Sequence, residues 1–323
     1  MTRAEYFALR SQLHFEQRLV VTLGVIAADL LLLAVAVAGL YGFAGKAGYW
    51  LAQPLLAIFY FHNFALLHDC GHGSVHRKTW VNALIGHYHS LFCFLPFYPW
   101  RDIHNEHHSW TGNLEKDPTL KKVRQLRAAG RIPFLARLAW YSWIPLAGLL
   151  QHTVFWMYPW DSYRQGKLRG ARLRNSLFSI GLLAVAYTAW ALWAPAEVSA
   201  AAIWPSFVIY LAGVELVNLP HHAGMPTYAS TPERPKLHLW EQHLSTRSCF
   251  YPLYLSELLV LNFNLHTEHH FFPTLPWYRL RNARLLLKRP LATAYTEEFG
   301  VEWNTLNRKQ PPEAVLLHTK QIP

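Results

Sequence analysis

VVTLGVIAADLLLLAVAVAGLYG, residues 20 to 42, contains a single charged residue, Asp29. About 20 apolar residues carry a helix across the hydrocarbon of a bilayer, so this run predicts a membrane span and sets the class of fold. Three more stretches repeat the pattern, at about 49–67, 177–194 and 198–219. The composition agrees: 52% of the 323 residues are hydrophobic and only 15% are charged, against roughly a quarter charged in soluble domains. No charged leader followed by a small-residue cleavage site precedes the first run, so a retained span is expected rather than a signal peptide.

The net charge of +11 invites a nucleic-acid reading, which its distribution excludes. Lys121, Lys122, Arg124, Arg127 and Arg131 form one basic group, and Arg164, Lys167, Arg169, Arg172 and Arg174 another. Both flank apolar runs, as the excess of cations on cytoplasmic loops requires, and no nucleic-acid module motif accompanies them. The turn between the first two spans holds only Lys46, and that between the last two holds no cation. Both termini are therefore expected in the cytoplasm, with cytosolic parts 1–19, 68–176 and 220–323. Apolar segments at about 83–100 and 132–160 are interrupted by His, Pro, Arg or Gln and read as interfacial or re-entrant helices. Three widely spaced cysteines, Cys70, Cys93 and Cys249, imply no disulfide framework.

Histidines collect at the cytoplasmic ends of the expected spans. HDCGH (68–72) places His68 and His72 four apart; HNEHH (104–108) places His104, His107 and His108 at i, i+3 and i+4; HTEHH (266–270) repeats this with His266, His269 and His270. On a helix such spacings share one face. NLPHH (218–222) adds His222, four after Asn218. Neutral imidazole is a common ligand of iron, copper and zinc, and one zinc takes only three or four ligands. Nine imidazoles fit two metals in one cage. HEXXH is absent, because HNEHH and HTEHH set the glutamate one residue late, so the zinc-protease reading fails. A metal transporter would keep its ligands near the bilayer midplane, and a haem cytochrome would pair histidines inside spans; these clusters lie outside them.

Through HDCGH (68–72), WRDIHNEHHSWTGNLEKDP (100–118) and HTEHHFFPTLPWYRL (266–280), the chain resembles the membrane fatty acid desaturase and hydroxylase superfamily, over nearly its whole length. The resemblance implies an all-α integral membrane protein, one domain over 1–323, with four transmembrane helices, interfacial helices and a cytosolic helical cap. It implies two non-haem irons held by His68, His72, His104, His107, His108, His266, His269 and His270. It adds a further histidine after the fourth span, His222 by spacing with His221 competing, and Asn218 acting through a bound water. The implied reaction is oxygen-dependent oxidation of an unactivated C–H bond of a fatty acyl chain, most simply desaturation. Hydroxylation, acetylenation and decarboxylation of a free acid to a terminal alkene are alternatives at the same centre. His266 departs from front-end desaturases, which typically have glutamine there. The sequence contains no HPGG, so electrons are expected from a separate ferredoxin, rubredoxin or cytochrome with its reductase. The substrate could be a free acid, acyl-CoA, acyl-carrier protein or lipid, and the location a bacterial inner membrane.

Further residues follow from position. Asp69, Glu106 and Glu268 are candidates to accept the second N–H of a ligating histidine. Glu215, Asn218 and His222 share a helical face near the inner end of a span, where a carboxylate is a functional candidate, so Glu215 is expected to buttress the metal cage or a proton path. Asp29 has no visible partner. Phe271, Phe272, Trp100, Trp110 and Trp277 are read as shielding the oxidant and lining an alkyl tunnel, or as interfacial belt aromatics. His62 reads as a hydrogen-bonded core residue. LHLWEQHLSTRS (237–248), with His238 and His243, is a candidate headgroup contact.

Overall fold

A computed structural model describes residues 1–194, 196–316 and 320–322; the side chains of 122, 196–203 and 253 are outside the described set. The fold is helical: α1 (Arg3–Arg10), α2 (Leu19–Gly42), α3 (Ala47–His72), α4 (Thr79–Cys93), α5 (Phe97–Trp110), α6 (Lys121–Ala129), α7 (Phe134–Tyr141), α8 (Leu146–Arg164), α9 (Gly170–Trp193), α10 (Ala196–His222), α11 (Leu253–Leu258), α12 (His266–Phe271), α13 (Leu280–Leu291), α14 (Gly300–Asn307) and α15 (Pro312–Leu316). Two short strands, β1 (Ser248–Phe250) and β2 (Glu297–Phe299), pair in parallel.

Two compact units result, interleaved along the chain. One comprises 17–102 and 147–214, the other 1–16, 103–146 and 215–323. The first holds α2, α3 and α9, the three helices among the described residues that are long and apolar enough to cross a membrane. The fourth expected span falls on α10, whose side chains at 198–203 lie outside the described residues. α2 and α9 leave Val20, Leu31, Val35, Phe178, Val185 and Leu192 exposed, as lipid-facing helices do. α3 differs, being 72% buried, and it packs on α2 and α4.

Boundaries move where end chemistry overrides apolarity. α3 runs past the expected residue 67 to His72, where Gly73 turns left-handed at φ 70° and its N–H reaches the Cys70 carbonyl at 3.1 Å. This is the glycine stop that closes many helices. α9 starts at Gly170 rather than 177, because Arg172 and Arg174 are good helix formers. The expected segment 83–100 is split between α4 and α5 at Phe94, φ 61°, and 132–160 between α7 and α8 at Trp143, φ 58°.

Inside this unit Asp29 has a partner after all: His62 Nδ1 lies 2.7 Å from its Oδ1, both buried. His62 is the hydrogen-bonded core residue expected. His68 and His72 sit one turn apart at the end of α3, ring centroids 4.9 Å apart. Trp100 is buried edge-on to His68, and a Cβ on Gly71 would lie 2.5 Å from its ring, so that position requires glycine.

The other unit has its own core. Tyr6 and Leu13 of the N-terminal segment pack with Leu265, Phe271, Phe272, Leu275, Leu280, Ala283 and Leu287. Phe271 and Phe272 are fully buried in it. Their packing seats α12. The Tyr6 hydroxyl donates to the Phe271 carbonyl at 3.0 Å.

Candidate metal centre

Two helices, α5 and α12, bring six imidazoles of this second unit to one place. α5 presents His104, His107 and His108; Pro99 sits in its first turn, where no N–H is required. Gly112, at φ 75°, closes it, and a Cβ there would fall 2.2 Å from Ser245 Oγ. α12 presents His266, His269 and His270; Leu261 and Asn262, both left-handed, turn the chain into it, and Pro273 ends it. His222, the last residue of α10, supplies the seventh.

The seven form two adjoining sets. His107, His222, His266 and His270 offer ligand atoms within 4.8 Å of one another. Their Nε2 atoms meet head-on: His107 to His222 at 3.2 Å, His222 to His266 at 2.7 Å, His266 to His270 at 3.0 Å. In the second set His108 Nε2 lies 3.1 Å from that of His104 and 2.9 Å from that of His269. The rings of His108 and His270 stack across the sets at 4.1 Å.

Neutral imidazole has one N–H and one lone pair, so the far side of each ring determines what Nε2 carries. His107 Nδ1 faces the Asp117 carboxylate at 3.0 Å, His222 Nδ1 the Ser245 carbonyl at 3.0 Å, and His270 Nδ1 the Gln242 Oε1 at 2.7 Å. All three partners accept, so all three Nδ1 atoms donate and the Nε2 atoms are bare lone pairs. Lone pairs closing to about 3 Å repel unless a cation stands among them, and the donor set fits a metal that favours imidazole. Burial and the neighbouring imidazoles hold His266 well below the usual histidine range, in the neutral form a metal takes. Burial alone would raise the Asp117 carboxyl, but His107 and the Thr119 hydroxyl hold it below its ordinary value.

Among the expected site residues, the box histidines of α5 and α12 converge with His222. His221 instead stacks on His266 at 4.1 Å and contributes no atom to the quartet. Asn218 is exposed one turn before His222. Glu215 accepts from Arg308 Nη2 at 2.6 Å in a buried pair, which ties the end of α10 to α14. The carboxylate candidates need correction. Glu106 is exposed on the outer face of α5. Glu268 is buried, but it accepts from the hydroxyls of Ser248, at 2.5 Å, and Tyr295; burial raises its pKa. Asp69, the third candidate, lies 3.6 Å from His68 Nδ1 in a charged contact. The carboxylate that orients a ring of the quartet is Asp117, within the quoted motif but outside the histidine box. Its only sequence signal was the DP pair that opens a turn ten residues after His107.

A model of the fatty acid desaturase family matches residues 44–301. The chain is similar to the sn-1 oleoyl-lipid 12-desaturase of Arthrospira platensis, 31% identical over 68% of this chain and 62% of that one. It is similar to the protein of the same name from Picosynechococcus sp., 28% identical over 80% of this chain and 76% of that one. It is also similar to the sn-1 acyl-lipid omega-3 desaturase (ferredoxin) of Synechocystis sp., 24% identical over 87% and 79%. The match thus spans 62% of the length of the Arthrospira relative.

Proposed function

The chain belongs to the fatty acid desaturase family, and from that premise we propose that it inserts a double bond into a fatty acyl chain at a di-iron centre. The overall change removes two hydrogens from adjacent methylenes, reduces one O2 to two waters, and consumes two external electrons and two protons. The observation that carries this reading is the convergence of bare Nε2 lone pairs whose rings are pinned from behind.

Bound iron supplies the oxidising power that no protein side chain has. The chain supplies the rest. His68, His72, His104, His107, His108, His222, His266, His269 and His270 are the proposed ligands. Asp117, the Ser245 carbonyl and Gln242 hold three of these rings in the ligating tautomer, as the outer partners of metal-bound histidines do. Asn218 is assigned to a water one turn before His222, and Glu215 buttresses the α10 end through Arg308. The apolar packing of Phe271, Phe272 and Leu275 behind α12 excludes bulk water from the ligands. The relatives named for acyl-lipids favour a lipid-esterified chain, and the relative named for ferredoxin favours an external redox protein as donor. We infer a bacterial inner membrane, four spans, and both termini and the metal centre on the cytoplasmic side, a reading supported by the cations flanking the apolar runs.

The test is gas chromatography–mass spectrometry of lipids from aerated host cells expressing the chain with a suitable donor, with His269→Ala as control. A new unsaturated acyl chain missing from the control is the expected result. A hydroxylated or shortened product would reassign the reaction, and purified protein that binds no iron would end the di-iron reading.

A further inference from the structure

In the segment Leu237–Ser248, the candidate headgroup contact, Gln242 and Ser245 meet the imidazoles. Gln242, in the short helical stretch Leu239–Leu244, is 2% exposed. Its Nε2 donates to the His108 backbone carbonyl at 2.8 Å, and its Oε1 accepts from His270 Nδ1 at 2.7 Å. The two contacts fix the amide orientation, since only the nitrogen can donate and only the oxygen can accept. The Thr111 hydroxyl, which reaches the His107 carbonyl at 2.9 Å, lies 3.3 Å from the same Oε1. Three residues on, the Ser245 carbonyl takes His222 Nδ1, and Ser245 N–H is held by the Gln242 carbonyl at 3.0 Å.

We propose that Gln242 is a positioning residue that locks the two imidazole sets to each other, fixing His270 as an Nε2 ligand of one while gripping the backbone of His108 in the other. The inference rests on the di-iron reading and goes beyond it. Hydrogen bonding of this kind presets a ring before any metal arrives, which lowers the cost of ordering the site. A carboxylate could perform the His270 half of the task, because it too accepts an N–H. It could not perform the His108 half, because it has no donor. An apolar side chain could perform neither.

The experiment compares wild type, Gln242→Met and Gln242→Glu, purified as full chains, for metal per chain and for Co2+ binding followed by its visible ligand-field spectrum. Wild type is expected to take two ions. Gln242→Met, near in size and flexible, is expected to lose about 10- to 100-fold in affinity for one of them, with an altered spectrum for that ion. Gln242→Glu is expected to restore that affinity to within about 10-fold of wild type, the effect expected of one such outer partner. Wild-type binding and spectrum in a folded Gln242→Met chain would overturn the proposal. If that variant does not fold, Gln242→Glu decides alone: weaker binding of one ion with an altered spectrum supports the assignment, because the donor to the His108 carbonyl is gone, and wild-type binding and spectrum in a folded chain overturn it. Wild type that binds no ion at all would fell the di-iron reading, a result distinct from either.

Discussion

At the scale of the residue, orientation of a ligand comes from behind it. Asp117 Oδ1 accepts from His107 Nδ1 and from the Thr119 N–H and hydroxyl, while Oδ2 accepts from the Gly112 N–H at 3.0 Å. Every one of these partners donates. Asp117→Asn must therefore aim its NH2 at a donor, either Gly112 or His107. A buried donor left unmatched costs about 1–3 kcal/mol, and metal affinity should fall about 10-fold or more; thermal melts and metal analysis of the purified variant measure the two. Unchanged values in both would show that Asp117 is only a loop residue. The converging histidines were legible, because i, i+3, i+4 spacing is a local property of a helix. Asp117, Gln242 and Ser245 were not: Asp117 reaches His107 through a turn ten residues on, and Gln242 and Ser245 become partners only where segments meet, Gln242 lying 134 residues from His108. Glu106 and Glu268 misled for the converse reason: adjacency in sequence puts a side chain on a different helical face from its neighbour.

At the scale of the element, short pieces hold α12 in register. α12 has six residues, too few to be stable by itself, and Phe271 and Phe272 bury its far side. Behind it, β2 is tied to α13 by Glu297, which accepts from Arg284 Nε at 2.6 Å and Lys288 Nζ at 2.5 Å. Burial works to raise the Glu297 carboxyl, but the two cations bring it below its ordinary value. A carboxylate lowered in the folded state stabilises above its unfolded pKa, and that contribution disappears as pH falls through the folded value. Glu297→Gln should therefore cost about 1 kcal/mol near neutrality, and the gap in melting temperature to wild type should begin to narrow as the buffer falls below the ordinary glutamate value of about 4.3 and vanish only below the lowered folded value. A gap that stays constant with pH would show that shape, not charge, makes the contact. Three of the four expected spans fall on helices long and apolar enough to cross, with ends within seven residues of those expected, because lipid demands a continuous apolar run. Their ends were less legible, since Gly73 and the Arg172–Arg174 start act through capping and helix propensity rather than apolarity.

At the scale of the whole molecule, the parity of spans decides which side the termini occupy. α2, α3 and α9 are long and apolar enough to cross; α10 determines whether the count is odd or even. It has 27 residues, and at about 1.5 Å per residue reaches roughly 40 Å, more than the ~30 Å of hydrocarbon. It begins close behind the end of α9, in a turn with no Lys or Arg, while the cations gather before α2, between α3 and α9, and after α10. Cations mark cytoplasmic loops, so α10 should complete a second hairpin and return the chain to the side of its N-terminus. A fluorescent protein fused after Pro323 should then glow and alkaline phosphatase there should stay inactive, whereas phosphatase inserted in the turn 43–46 should be active. An active phosphatase at the C-terminus would make the count odd and place His222 on the wrong face, because α10 could then end there only without having crossed.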